Sequence, residues 1–118
     1  MFLLLTDGPD DSGVALPFVA AKGALAAGED VSIVAMADAV HLLTADADLH
    51  AIEASGLPTV GRLVARLRDA DALADAVALR DCCAARDVDE ADLADWATLD
   101  DERAVARLAG NHETTLSF

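Results

Sequence analysis

Tyrosine is missing from this chain, and aromatic residues make up only 3% of its 118 positions. Its hydrophobic fraction, 54%, is instead carried largely by alanine, valine and leucine. Such a core buries little area per residue, so association of subunits is expected to supply part of the stability. Lysine is confined to Lys22, and eight basic residues face twenty-two acidic ones, a formal net charge of -14 with a pI near 4.2. A field of that sign argues against nucleic acid or an anionic membrane as the main partner. Aspartates spread over every predicted helix fit a salt-adapted protein, such as that of a halophilic archaeon. In concentrated salt their mutual repulsion is screened.

Long apolar runs are missing too. No stretch approaches the roughly 20 residues a transmembrane helix needs. The opening Met1-Phe2-Leu3-Leu4-Leu5-Thr6-Asp7 has no basic region ahead of its apolar run, so it does not read as a secretion signal. There are two cysteines, Cys82 and Cys83. Adjacent cysteines make neither a secreted disulfide framework nor a Cys-x-x-Cys redox pair. A cytoplasmic location is the expectation. The loop after the first apolar run has no Gly-Lys-Ser/Thr and no Gly-x-Gly-x-x-Gly, which excludes the standard phosphate loops. His41, His50 and His112 share no metal-binding spacing with the cysteines, so no metal or other cofactor is expected. No serine sits in a nucleophile-elbow context.

What is present reads as one domain, residues 1–118. Phe2-Leu3-Leu4-Leu5 and Val31-Ser32-Ile33-Val34-Ala35-Met36 are continuous apolar runs of the kind that form fully buried parallel strands. Between them Val14 to Ala27 has helical spacing and ends at Gly28, a natural helix stop. Ala37 to Leu43 predicts a short helix or turn, and Leu49-His50-Ala51-Ile52 a further helical turn. Pro58 opens a helix from Thr59 to Leu67 or beyond. Asp69 to Leu79 favours helix locally, but the alternation of elements requires a strand near Asp75 to Leu79. Helices are expected over Asp89 to Asp95 and over Asp100 to Ala109, the latter closed by Gly110. Thr114 to Phe118 is a final β-rich run. Four or five short strands interleaved with helices define the fold class α/β, a three-layer sandwich with a mostly parallel sheet.

Chemistry concentrates in Asp81-Cys82-Cys83-Ala84-Ala85-Arg86-Asp87-Val88. A loop leaving the third strand would put this run at the carboxyl edge of the sheet, where open α/β folds bind ligands. Arg86 and a helix start would favour a thiolate there, whereas free cysteines are more often small buried apolar residues. Asp7 after strand one and His41 after strand two fall on the same edge, as pocket wall or proton acceptor.

Several local patterns together resemble the DsrE/DsrF-like sulfur-relay family. They are Leu3-Leu4-Leu5-Thr6-Asp7-Gly8-Pro9, Leu16-Pro17-Phe18-Val19 with Ala20-Ala21, and Val31 to Val40. The run Cys82 to Val88 is similar to the family's Cys-x-x-x-Arg-Gly-Ile loop, and Phe118 ends the terminal strand. The resemblance implies a flavodoxin-like sheet, assembly into homo- or hetero-oligomers, and a cysteine that accepts persulfide sulfur and passes it on. By this match Cys82 is the family cysteine, Arg86 its supporting cation and Cys83 an additional thiol. Asp81, Ala84 and Asp87 depart from the proline, lysine and glycine common there, and the two carboxylates oppose the thiolate.

The expected function is a cytoplasmic sulfur carrier or sulfurtransferase-like protein with Cys82 as carrier. Arg86, Cys83, His41 and Asp7 would support it, and donor and acceptor proteins would be its partners. A homo-oligomer, trimer or hexamer, is expected, with Trp96 as an interface residue. The alternatives are a non-catalytic oligomeric binding or regulatory module, and a small-molecule pocket at the sheet's switch point.

Overall fold

A computed structural model describes all 118 residues, from Met1 to Phe118. Five strands form one parallel sheet in the order β4-β3-β2-β1-β5. They are β1 (Phe2–Leu5), β2 (Val31–Ala35), β3 (Leu73–Leu79), β4 (Thr98–Asp100) and β5 (Thr115–Ser117). The helices are α1 (Ala15–Ala26), α2 (Val60–Asp69), α3 (Arg80–Ala85) and α4 (Arg103–Asn111), joined by four short 3-10 turns. The chain steps outward from β1 to β4, and α4 then carries it back to set β5 on the other side of β1.

The two faces of the sheet are unequally covered. Alternate strand residues Leu3, Leu5, Val31, Ile33 and Ala35 meet Phe18 and Ala21 of α1 and Leu63 and Leu67 of α2 in a core of 24 buried residues. On the opposite face Phe2, Val34 and Val77 meet Ala104 and Leu108 of α4, with Leu4, Met36, Val105 and Ala109 packed at the edge of this smaller cluster. β2 lies in the centre and all five of its residues are buried, which explains its continuous apolar reading.

Three helices end by the same device. Gly28, with φ of 81°, follows α1, and the Glu29 amide reaches back to the Ala24 carbonyl at 2.9 Å. After α2 the same place is taken by Asp71 (φ 53°), with Ala72 bonded to Leu67 at 2.9 Å. After α3 it is taken by Asp87 (φ 55°), with Val88 bonded to Cys83 at 2.9 Å. This left-handed closure suits glycine; an aspartate tolerates it at some cost in strain.

The structure corrects four expectations. β3 begins at Leu73, ahead of Asp75, because α2 runs beyond Leu67 only as far as Asp69 and the Asp71 stop lets the chain reverse there. The predicted helix over Asp89 to Asp95 is a single 3-10 turn, Glu90–Asp92, closed by reciprocal bonding of Asp89 and Asp92. Beyond it Leu93 pairs with Thr44 in an antiparallel bridge. The last helix starts later, at Arg103, since the Asp101 carboxylate accepts from the Arg103 amide at 3.0 Å and caps its first turn. The Arg103 guanidinium, 2.7 Å away, helps hold that carboxyl at about 2. Gly110 lies inside α4 rather than closing it, and the fifth strand, left open in the sequence, is the three-residue β4.

Candidate functional site

The carboxyl ends of three adjacent strands, β1, β2 and β3, bring the expected site segments to one edge of the sheet. After β1 the turn holds Asp7 and Gly8. After β2 the 3-10 turn Ala37–Leu43 holds Asp38 and His41. After β3 there is no loop: α3 starts at Arg80 directly from the strand, so Cys82 and Cys83 lie within its first turns and Arg86 at its end. The expected strand-to-helix loop is therefore a short helix.

Helical geometry separates the two thiols. Cys83 points into the core and is 1% exposed, whereas Cys82 is half-buried. Burial, with a smaller contribution from the neighbouring Cys82, pushes the Cys83 thiol above its ordinary range, and Arg86 opposes the shift. Arg86 folds back along its own helix, donating from Nη1 to the Cys82 carbonyl at 3.2 Å. Its Nε donates to Oδ1 of Asp38 at 2.9 Å. The Arg86 side chain is 27% exposed and that of Asp38 71%.

Asp38 is the residue that sequence reasoning missed as part of the site. It joins the helix of Cys82 to the turn after β2. Gly8 packs against it so closely that an added Cβ would stand 3.0 Å from the Asp38 Cβ and 3.1 Å from its carbonyl oxygen. The available signal was its place in the run Val31 to Val40, one residue past Ala37, which adopts a left-handed φ of 50°. Among twenty-two acidic residues a single carboxylate does not stand out.

Two open clefts flank His41. One, of about 680 Å³, is lined without any apolar residue by His41, Asp38, Asp7, Asp10 and Asp11 among others. The other, of about 490 Å³, has His41, Asp46, Asp87 and Asp92 in its wall. The structure thus brings together Asp7, Asp38 and His41 in one cleft, and Cys82, Arg86 and Asp38 through hydrogen bonds. The thiols themselves line neither cleft. At the switch point between β1 and β5 a smaller apolar cavity of about 210 Å³ lies among Leu5, Val14, Leu16, Pro17 and Phe118.

The remaining histidines are engaged elsewhere. His50 lies against Gly61, where an added Cβ would fall 2.6 Å from the ring. His112 belongs to a polar chain at the opposite end of the sheet. Its Nε2 is 2.9 Å from Oγ of the fully buried Ser32, which donates to Asp75 at 3.3 Å. The Met1 amine donates to Nδ1 at 3.0 Å, so the ring proton is on Nε2 and is given to Ser32. That direction is opposite to the one a serine nucleophile needs, and Ser32 has no exposed surface. No three His, Cys, Asp or Glu side chains converge as a metal site.

An α/β protein with a parallel five-stranded sheet and a cysteine-bearing helix leaving its third strand is the class these features define. The chain belongs to the DsrE/DsrF-like family, whose model matches residues 1–118. The fold is similar to the crystal structure of the ychN protein from E. coli, at 13% identity and a TM-score of 0.69, over 99% of this chain and 97% of that one. It is also similar to MTH1491 from Methanobacterium thermoautotrophicum, a protein of unknown function. There the identity is 16% and the TM-score 0.73, again over 99% and 97% of the two chains. No curated protein matches the sequence. No helix is long and apolar enough to cross a membrane.

Proposed function

We propose that the protein is a cytoplasmic sulfur carrier acting by persulfide relay, with Cys82 as the carrier. The observation that carries this reading is the position of Cys82 at the carboxyl end of β3, partly exposed, four residues before Arg86 in a chain of the DsrE/DsrF-like family. In the loading step the Cys82 thiolate attacks the outer sulfur of a donor R–S–SH. The donor S–S bond breaks, R–S⁻ leaves, and Cys82 holds –S–SH. Unloading is the same exchange in reverse, with an acceptor thiolate attacking the outer sulfur. Neither half needs an external oxidant. Arg86 supports negative charge on sulfur, and His41 and Asp7 stand on the same sheet edge, where a donor would approach. Donor and acceptor proteins are the partners of this chemistry, and a homo-oligomer is its frame.

The test is mass spectrometry of the intact protein after exposure to a sulfane-sulfur donor. The expected outcome is a gain of one sulfur on the wild type, lost in Cys82→Ser and kept in Cys83→Ser. No gain at any pH would favour a second reading, a non-catalytic oligomeric module of the same fold. What speaks for that reading is that neither thiol lines a cleft.

A further inference from the structure

The cation beside Cys82 is already claimed by a carboxylate of the neighbouring strand's loop. Arg86 spends Nε on Asp38 at 2.9 Å and one Nη1 proton on the Cys82 carbonyl at 3.2 Å. The Nε side of the guanidinium is therefore taken and its charge is paired with a carboxylate, while Nη2 and one Nη1 proton remain as donors. The other charged groups around the site are Arg80 and Asp81 on α3 and Asp87 at its end. From the adjoining loops come Asp38, His41 and Asp7. With part of the Arg86 charge offset by its ion pair with Asp38, carboxylates dominate this set.

Two features hold the clasp in place. Gly8 leaves room for Asp38 to sit against the turn after β1. Both partners of the ion pair adjoin residues with left-handed backbone, Ala37 at 50° and Asp87 at 55°. At Asp87 that conformation closes α3 through the Val88–Cys83 bond, and at Ala37 it opens the turn that carries Asp38.

We propose that Asp38, by occupying Arg86, makes the Cys82 site select against anionic sulfur donors and for uncharged or cationic ones. Asp38 is a positioning residue here: it acts on the donor through Arg86 and through its own field. This rests on the reading of Cys82 as the reactive sulfur and adds to it the class of donor. A dianion such as thiosulfate meets repulsion, whereas a persulfide or disulfide on a neutral or basic carrier does not.

Three disulfides with the same reacting bond and different charge serve as probes: cystamine (cationic), hydroxyethyl disulfide (neutral) and dithiodipropionate (anionic). In each, the Cys82 thiolate attacks one sulfur, R–S⁻ leaves, and a mixed disulfide Cys82–S–S–R remains. Rates are read by intact-mass spectrometry on the Cys83→Ser background at low ionic strength. The cationic probe should react faster than the anionic one, on the order of tenfold. Asp38→Asn should remove most of that ratio. Gly8→Ala, which displaces Asp38 without changing the charge, should move it the same way. Asp30→Asn, an exposed carboxylate before β2, should leave the ratio nearly intact and so separates the local effect from the net charge.

Adducts that form at equal rates with all three probes would overturn the inference and leave the relay reading standing. A ratio that responds equally to Asp30→Asn and Asp38→Asn would also overturn it, since the preference would then belong to the whole surface. No adduct with any probe would remove Cys82 as a reactive sulfur, and this inference with it.

Discussion

At the scale of single residues, the turn of α3 decides which sulfur can react. Cys83 is enclosed and its thiol pushed up by burial, while Cys82 next to it keeps access to solvent. Because the shift of Cys83 is upward, its thiolate fraction at neutral pH is lower than that of an ordinary cysteine, and it rises only as the pH approaches the raised value. Iodoacetamide should therefore label Cys82 faster, on the order of tenfold near neutral pH, with the Cys83 profile displaced toward alkali. Arg86→Ala should slow the labelling of Cys82 by removing the one cation hydrogen-bonded to its helix turn. Asp81→Asn should speed it, most visibly at low ionic strength. Peptide mapping across a pH series measures all of this. Equal labelling of both cysteines, or none without denaturant, would leave Cys82 a structural residue.

At the scale of elements, the closure of α3 connects stability to the site. Asp87 stands where the family motif has glycine, and its left-handed φ of 55° gives the physical reason for that preference. Asp87→Gly should stabilise the fold by about 0.5–1 kcal/mol through relief of backbone strain, less any entropy lost by glycine on folding. Gly28→Ala, at a φ of 81° after α1, should cost a similar amount or more. Urea unfolding of the two variants beside the wild type checks both signs; a destabilised Asp87→Gly would mean that the aspartate side chain earns its place by contacts rather than enduring strain. α4 is the thin point of the architecture. It alone covers Phe2, Val34 and Val77, so that face depends on Ala104, Leu108 and the cap supplied by Asp101.

At the scale of the whole molecule, charge and a small core set the behaviour. With a net charge of -14 on 118 residues, self-repulsion opposes folding in dilute buffer, and screening relieves it. The melting temperature should rise between dilute buffer and molar potassium chloride; an unchanged value would detach the acidic surface from salt adaptation. The exposed large apolar side chains are Leu16, at 53%, and Phe118, at 41%, both beside the small cavity at the switch point. Trp96, the expected interface residue, is half-buried against the core with the Arg68 guanidinium 5.9 Å above its ring. In high salt the protein should be a trimer or hexamer by light scattering. Leu16→Glu should weaken it more than Trp96→Ala if the apolar edge is the contact. A monomer mass throughout would reject the oligomer.

Local information in the sequence was enough for β1, α1 and β2, because buried parallel strands read as unbroken apolar runs and Gly28 marks a stop by its own chemistry. It was also enough to bring Asp7, His41 and Cys82 to one sheet edge, since strand order along a parallel sheet fixes which loops share an end. It reached β3 only through the alternation of elements and left β4 open. The alanines around Asp75 favour helix on their own, and pairing of Asp75 to Ala78 with β2 and of Val77 to Leu79 with β4 makes the segment strand. Nor did it give α3, whose six residues carry no helical repeat and are shaped by the end of β3 and the closure at Asp87. The partner of Arg86 was decided by tertiary structure alone. Asp38 is 48 residues away along the chain and is brought to 2.9 Å by the packing of neighbouring loops, a proximity that no local pattern among so many aspartates encodes.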